Sequence, residues 1–162
     1  DWTDAHKENM KVVEIDGRHC LKLTGPIRIT QFIQGLKEGQ HYKLSYMGKV
    51  DPGAAILVSV WFRRANLDWF RNGIGNYKMQ ASFSTPGIWK QIEEATFVYR
   101  DKDGQTHSNN CELLPETETA FIEINNYKPL EGASIYVTDI RFEMVGNTSE
   151  TKIAIGGIET IQ

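Results

Sequence analysis

A chain of 162 residues is long enough for one domain with a sizeable core. The formal net charge is −3 and the 18 Lys and Arg residues are scattered without a basic run, which argues against a nucleic-acid partner. No apolar stretch approaches the ~20 residues that a membrane helix needs, so no membrane span is predicted.

The first part of the chain has the pattern of short strands joined by tight turns. Met10–Ile15 and His19–Thr24 flank the dipeptide Asp16-Gly17, which is the signature of a β-hairpin. Three further strand segments follow, and the turn Asp51-Pro52-Gly53 precedes the last of them. These segments are Ile27–Ile33, His41–Lys49 and Ala54–Arg64.

The region Ala65–Gly87 breaks this rhythm, because glycines and asparagines are mixed with aromatic residues. Long connections of this kind are usually functional or mobile. Within it, Tyr77–Ser82 has the composition of a short strand. Beyond it we predict a long strand with Trp89 in the core, then a polar loop, then two more strands. In chain order these are Trp89–Arg100, Gln105–Glu118, Thr119–Tyr127 and Ser134–Val145.

About ten short strands without an amphipathic helix predict an all-β fold, either a two-sheet sandwich or a barrel. We assign residues 1–146 to one β-sandwich and residues 147–162 to a tail. The tail segment Ile153–Ile161 is either an added edge strand or the start of a linker. Cys20 and Cys111 do not have a zinc-site spacing. A disulfide between them and two free thiols are both open alternatives.

Two predicted strands, Ala54–Arg64 and Thr119–Tyr127, combine an apolar row with an unusual opposite row. Alternation puts Ile56, Val58, Val60 and Phe62 of the first, and Ala120, Ile122 and Ile124 of the second, on one face. The opposite rows are Ser59, Trp61 and Arg63, and Phe121, Glu123, Asn125 and Tyr127. A solvated sheet face normally carries Thr, Ser, Lys and Glu. Aromatic plates beside charged and amide groups instead suit a sugar, whose C–H face stacks and whose hydroxyls take directional hydrogen bonds.

Each of these residues also has a plain structural interpretation. Trp61 could be a core residue, Tyr127 could cover the edge of the sandwich, and Glu123 with Arg63 could form a cross-strand ion pair of little consequence. Trp69 and Phe70 lie in the long connection, where they either fold beneath it or contact a ligand. We include both of them, together with the residues of the opposite rows, as candidate ligand contacts.

Three passages, taken in order, resemble the jelly-roll carbohydrate-binding modules of families 4, 16 and 22. They are Gly39-Gln40-His41-Tyr42-Lys43-Leu44-Ser45-Tyr46, Trp89 with Ala95-Thr96-Phe97, and Ser134-Ile135-Tyr136-Val137-Thr138-Asp139-Ile140-Arg141-Phe142. The resemblance implies two antiparallel sheets, with ligand along the concave face of one sheet or at its loop rim. It also implies a structural Ca²⁺ held by Asp139 and by N-terminal oxygens. Thr138 departs from the family pattern, which has the first Asp of an acidic pair there.

The sequence therefore predicts a non-catalytic module that binds a polysaccharide or oligosaccharide chain. We expect an extracellular or cell-surface location within a larger protein, whose other parts could include a catalytic domain. One alternative is a structural or adhesive β-sandwich whose aromatic residues pack against a protein partner. Another is a small jelly-roll lyase or hydrolase, with Glu123 and either Glu93 or Glu94 as its two carboxylates. The sequence has no GxSxG, HExxH or phosphate-loop motif, which favours the non-catalytic interpretation.

Overall fold

We describe the protein from a computed structural model. The residues described are 7–37, 39–63, 75–100, 103, 105–110, 117–145 and 152–154. A short 3-10 turn, Lys7–Asn9, precedes the strands. The strands are β1 (Met10–Ile15), β2 (Arg18–Thr24), β3 (Arg28–Gln34), β4 (His41–Val50), β5 (Ile56–Arg63), β6 (Gly75–Phe83), β7 (Lys90–Glu94), β8 (Thr96–Arg100), β9 (Thr106–Asn110), β10 (Thr119–Asn126), β11 (Ser134–Val145) and β12 (Lys152–Ala154).

The strands form two antiparallel sheets, which we name the back sheet and the front sheet. The back sheet has the order β1-β2-β11-β4-β7, and β12 also pairs with β11. The front sheet has the order β3-β10-β5-β6-β8-β9. The predicted all-β sandwich of two antiparallel sheets is therefore confirmed.

The last long strand, β11, has two partners on the edge opposite β4. Its first part, Ser134–Val137, pairs with β2, and its later part, Arg141–Glu143, pairs with β12. The ladder with β4 shifts register between Thr138 and Arg141. Asp139 lies at this irregularity with φ 55°, a conformation that few non-glycine residues adopt. The described part of the tail is thus an edge strand on the back sheet.

The core lies between the two sheets and is built from the inward row of each strand. Tyr42 of the back sheet stacks on Phe142 with ring centroids 4.9 Å apart, and Phe62 of the front sheet lies 6.1 Å from the same ring. Phe142 therefore joins aromatic side chains of both sheets. The apolar rows predicted on β5 and β10 are buried without exception: Ile56, Val58, Val60, Phe62, Ala120, Ile122 and Ile124.

A buried hydrogen bond also links the sheets. Tyr46 on β4 donates its hydroxyl proton to the backbone carbonyl of Ala81 on β6, at 3.3 Å. Burial raises the pKa of Tyr46 far above its usual value, so the hydroxyl remains a donor throughout the neutral range. This bond fixes one position of the front sheet relative to the back sheet.

The prediction of one long strand at Trp89–Arg100 is wrong. The segment forms β7 in the back sheet and β8 in the front sheet, with Ala95 between them. The Glu94 carboxylate accepts hydrogen bonds from the backbone N–H groups of Ala95 at 3.0 Å and Thr96 at 2.8 Å. A side chain thus satisfies the backbone where the chain changes sheets, and no Gly or Pro marks the change in the sequence.

The polar loop predicted at Gln105–Glu118 is also wrong in part. Thr106–Asn110 forms β9, which pairs with β8 at the edge of the front sheet. The segment Thr-His-Ser-Asn-Asn lacks the apolar alternation of a half-buried strand. Backbone pairing with β8 makes it a strand.

Trp89 lies on the back sheet and not in the core, contrary to the prediction. Its indole Nε1 donates a hydrogen bond to the Asp16 carboxylate at 2.9 Å, and the Arg18 guanidinium lies 5.5 Å from the ring centroid. Lys49 Nζ bonds the same Asp16 oxygen at 2.8 Å. The hydrogen bonds from Lys49 and Trp89 lower the pKa of Asp16. Trp89 therefore belongs to a polar network on the outer surface of the sandwich.

Cys20 is a free and buried thiol, and burial raises its pKa to about 11. Of the two alternatives for the cysteines, Cys20 takes the free form, while Cys111 lies outside the described residues. Within the described ranges, no helix has the length and hydropathy needed to cross a bilayer.

The bond between the sheets predicts a specific loss of stability in Tyr46→Phe. The ring still fills its space, but the Ala81 carbonyl loses its donor. We expect the free energy of unfolding in urea to fall by about 1–2 kcal/mol. Tyr127→Phe is the matched control, because the Tyr127 side chain is exposed, and its stability should be unchanged. Equal stability of both variants would contradict this role for Tyr46.

Candidate functional site

The outer face of the front sheet, which is turned away from the core, carries the unusual rows found in the sequence. The ladders that join β3, β10, β5 and β6 place side chains opposite one another across four strands. These ladders have no register shift, so directly opposed residues project to the same side of the sheet. One set of opposed residues, which we name the aromatic row, is Phe32, Phe121, Trp61 and Lys78.

Two polar rows lie beside the aromatic row, on one side of it. The first polar row is Thr30, Glu123, Ser59 and Gln80, and the second polar row is Arg28, Asn125, Leu57 and Ser82. On the other side of the aromatic row, Arg63 is opposite Thr119. The structure thus brings five predicted site residues onto one face: Trp61, Arg63, Phe121, Glu123 and Asn125.

Cations lie over two rings of the aromatic row. The Arg63 guanidinium carbon is 4.6 Å from the Phe121 ring centroid, and Lys78 Nζ is 4.8 Å from the centroid of Trp61. Phe32 lies on the other side of Phe121, with the centroids 5.2 Å apart and the rings tilted by 44°. These contacts hold long side chains in place, because a cation is attracted to the negative face of an aromatic ring.

Among the described residues, Glu123 supplies the carboxylate of this face, and its side chain is 16% exposed. Its ion partner is Arg28, with Nε 3.6 Å from Oε2, rather than Arg63 as one sequence interpretation had it. Burial raises the pKa of Glu123, although the charges of Arg28 and Lys78 act in the opposite direction. Burial likewise lowers the pKa of Arg63. The face is therefore partly shielded from water, which strengthens charge interactions on it.

A pocket of about 380 Å³ lies at the end of the second polar row. Tyr127 forms one wall, with its side chain 44% exposed and Lys128 Nζ 5.1 Å from its ring centroid. The Tyr127 backbone N–H donates to the Ala55 carbonyl at 2.9 Å, which fixes its position just after β10. The other lining residues are Ala55, Ile56, Leu57, Gln80, Ser82, Phe83 and Ser84. Tyr127 thus lies at the rim of the face.

Sequence reasoning missed three residues of this face, namely Arg28, Phe32 and Lys78. Arg28 and Phe32 alternate with the buried Ile29 and Ile33 on β3, a signal that was available in the sequence. Gln31 within the inward row weakened that signal. Lys78 alternates with the buried Met79 and Ala81 in the predicted strand Tyr77–Ser82, but the sequence does not show that this strand lies beside β5. Trp69 and Phe70, also proposed as ligand contacts, lie outside the described residues.

Solved structures share this architecture at low sequence identity. The carbohydrate-binding module TmCBM61 in complex with β-1,4-galactotriose aligns with a TM-score of 0.53 and 13% identity, covering 90% of this chain and 88% of that one. A CBM4 structure aligns with a TM-score of 0.50 and 11% identity, over 89% and 94% of the two chains. The fold is that of the jelly-roll carbohydrate-binding modules.

The jelly-roll fold also occurs within larger chains. The enzymatically active domain of tailspike protein 4 from bacteriophage CBA120 aligns with a TM-score of 0.56 and 13% identity, covering 90% of this chain but 18% of that one. The sequence itself matches no family model and has no significant match among curated proteins. The likeness to the carbohydrate-binding modules is therefore one of fold.

The described surroundings of Asp139 do not by themselves make a calcium site. Ca²⁺ takes six to eight oxygen ligands, whereas the described residues contain no group of three or more His, Cys, Asp or Glu side chains placed for a metal. The Asp139 carboxylate instead accepts a hydrogen bond from Arg141 Nη2 at 3.2 Å. The resemblance also draws ligands from N-terminal oxygens, and residues 1–6 lie outside the described ranges. Calcium at Asp139 stays a prediction.

Chelation tests the calcium prediction. An ion bound only to the folded state raises its stability by mass action, so EDTA should lower the Tm of the purified protein and excess Ca²⁺ should restore it. Asp139→Asn should abolish both responses in a thermal melt. A wild-type Tm that does not respond to EDTA would remove calcium from this site.

The raised pKa of Glu123 makes a separate prediction about stability and pH. Because the fold favours the neutral carboxyl, this contribution is complete below the ordinary pKa of 4.5 and is lost as the pH rises through the higher folded value. Glu123→Gln mimics the neutral form. We expect its Tm to exceed that of the wild type at pH 7 and to match it at pH 4.

Glu118→Gln is the control for this pH series, because Glu118 is exposed. Its Tm difference from the wild type should be the same at both pH values. A Glu123→Gln difference that is equally independent of pH would contradict the burial argument.

Proposed function

We propose that the outer face of the front sheet binds a glycan chain and catalyses no reaction on it. The observation that carries the proposal is the aromatic row, in which Phe32, Phe121 and Trp61 stand side by side on adjacent strands. The core does not need these side chains, because the inward rows of β5 and β10 are already filled with buried apolar residues.

The aromatic row and the two polar rows would bind different groups of the same sugar. The rings offer apolar surface to the C–H faces of sugars. Glu123, Asn125 and Gln80 offer carboxylate and amide groups at the same height above the sheet, and these match the hydroxyls of a sugar. The pocket beside Tyr127 would hold a sugar at one end of the chain. A glycan chain that runs along the strand direction would therefore cross all three rows.

The shared fold with carbohydrate-binding modules supports this proposal. One of the similar structures holds β-1,4-galactotriose, which establishes that the fold can carry an oligosaccharide site. By the same analogy we propose that the chain acts outside the cell or at its surface, as a module of a larger glycan-active protein.

The geometry gives less support to the hydrolase alternative. Glu123 lies on the outer face of the front sheet, whereas Glu93 is on β7 of the back sheet with its Oε1 3.4 Å from Lys43 Nζ. The Glu94 carboxylate is engaged by the backbone at the crossing between the sheets. Since the two catalytic carboxylates of a glycosidase flank one scissile bond, these pairs are poorly placed for that reaction.

Trp61→Ala tests the site directly. Loss of the indole ring should weaken binding to a responsive glycan by about 1–3 kcal/mol, measured by isothermal titration calorimetry. Thermal stability should change little, because Trp61 lies on the outer row and not in the core.

Trp89→Ala is the matched control, because it removes the same side chain from the outer surface of the back sheet. Its glycan affinity should equal that of the wild type. A glycan array with no positive sugar would instead favour the protein-partner alternative. Release of shortened products from a bound glycan would establish an enzyme.

A further inference from the structure

We infer that the glycan bound by this face is acidic and carries carboxylates, as in a chain of uronic acids. This inference rests on the proposed function and adds the chemical class of the ligand. Four features support it: the charge of the face, the cations over the rings, the unpaired state of Lys78 and the spacing of the charges.

The charge of the face is opposite to that of the whole chain. The described outward side chains of β3, β10, β5 and β6 include the cations Arg28, Arg63 and Lys78, and Glu123 is the carboxylate among them. The chain as a whole has a net charge of −3. Positive charge is therefore concentrated on the surface where the aromatic row and the two polar rows lie. A neutral ligand would not require this concentration, whereas an anionic chain is attracted by it.

The rings of the aromatic row are already in contact with these cations. Arg63 lies over Phe121 and Lys78 lies over Trp61. A neutral sugar offers these cations no partner of opposite charge, whether it stacks on the rings or lies beside them. A carboxylate would instead find charged groups that the rings hold in place, so that less side-chain entropy is lost on binding.

Lys78 differs from Arg28 in its partners. Arg28 is paired with Glu123 at 3.6 Å. In the described part of the chain, Lys78 has a ring contact with Trp61 but no carboxylate within ion-pair distance. An ammonium held on a ring at a partly shielded surface is suited to accept an anionic partner from outside the protein.

The spacing of the charges favours a chain over a single ion. Arg28 and Lys78 are three strands apart across the sheet and four residues apart along it. These steps correspond to roughly 14 Å across and roughly 13 Å along the sheet. The backbone positions of the two cations are therefore well separated, although both cations act on the Glu123 carboxylate that lies between them. A polymer that repeats its carboxylate on successive sugars can satisfy them together.

Oligogalacturonate and its fully methyl-esterified form are the probes that test the inference. They share the same sugars and linkages and differ in the carboxylate charge. We expect calorimetry to show that the protein binds the acid form at least tenfold more tightly than the ester. Raising NaCl from 50 to 500 mM should weaken binding of the acid form and leave the ester nearly unaffected.

Lys78→Gln should reduce affinity for oligogalacturonate by about tenfold, which is the loss expected for one charge-assisted hydrogen bond. It should also make the affinity less sensitive to salt. Lys22→Gln is the matched control, because Lys22 Nζ also lies over a ring, 5.9 Å from the Tyr136 centroid, but on the back sheet. That variant should bind like the wild type.

Five results would overturn the inference. Equal affinity for acid and ester is one, and equal loss in Lys78→Gln and Lys22→Gln is another. Dextran sulfate bound as tightly as oligogalacturonate would reject the carboxylate assignment in favour of an unspecific charge effect. A Trp61-dependent affinity for β-1,4-galactan without any for oligogalacturonate would overturn the acidic ligand and leave the proposed function standing. Absence of binding to every glycan would overturn both.

Discussion

The registered pairing of β10 with β3 on one side and β5 on the other is the constraint on which the candidate face depends. Since side chains alternate along a strand, burying Ile122 between its neighbours forces Phe121 and Glu123 outward. A slip of one residue would exchange the core row with the outer row. The buried contacts around Phe62 and Phe142 oppose such a slip. The energy that stabilises the core therefore also fixes the aromatic row.

Sequence periodicity was enough to predict this part of the fold, because β5 and β10 each have one strictly apolar row. It failed at Trp89–Arg100, where neither Gly nor Pro marks the point at which the chain leaves the back sheet. The Glu94 carboxylate accepts hydrogen bonds from the backbone N–H groups of the next two residues there. No sequence pattern predicts that a carboxylate makes this local contact. It failed again at β9, whose polar side chains conceal a strand that is held by backbone pairing. Tertiary context decided both segments.

The sequence predicted the part of the candidate site that lies on β5 and β10. Trp61, Phe121 and Glu123 followed from alternation on β5 and β10, but their neighbours on β3 and β6 depend on which strands are adjacent. The order β3-β10-β5-β6 is not sequential, so Phe32 and Lys78 could not be placed beside Phe121 and Trp61 without the sheet topology. The cations over the rings were missed for the same reason.

The two surface tryptophans differ in the partners of the charged groups around them. An aromatic ring on a sheet surface is therefore not by itself a binding site. Trp89 has its indole N–H bonded to Asp16, and Lys49 binds the same carboxylate, so the polar groups beside this ring have partners within the protein. Trp61 instead holds Lys78, which has no carboxylate within ion-pair distance among the described residues and acts on Glu123 only at longer range. A cation that is ordered but not neutralised keeps most of its capacity to attract an anion. The same physical contact, a cation over an indole, thus stabilises one sheet surface and leaves the other prepared for a ligand.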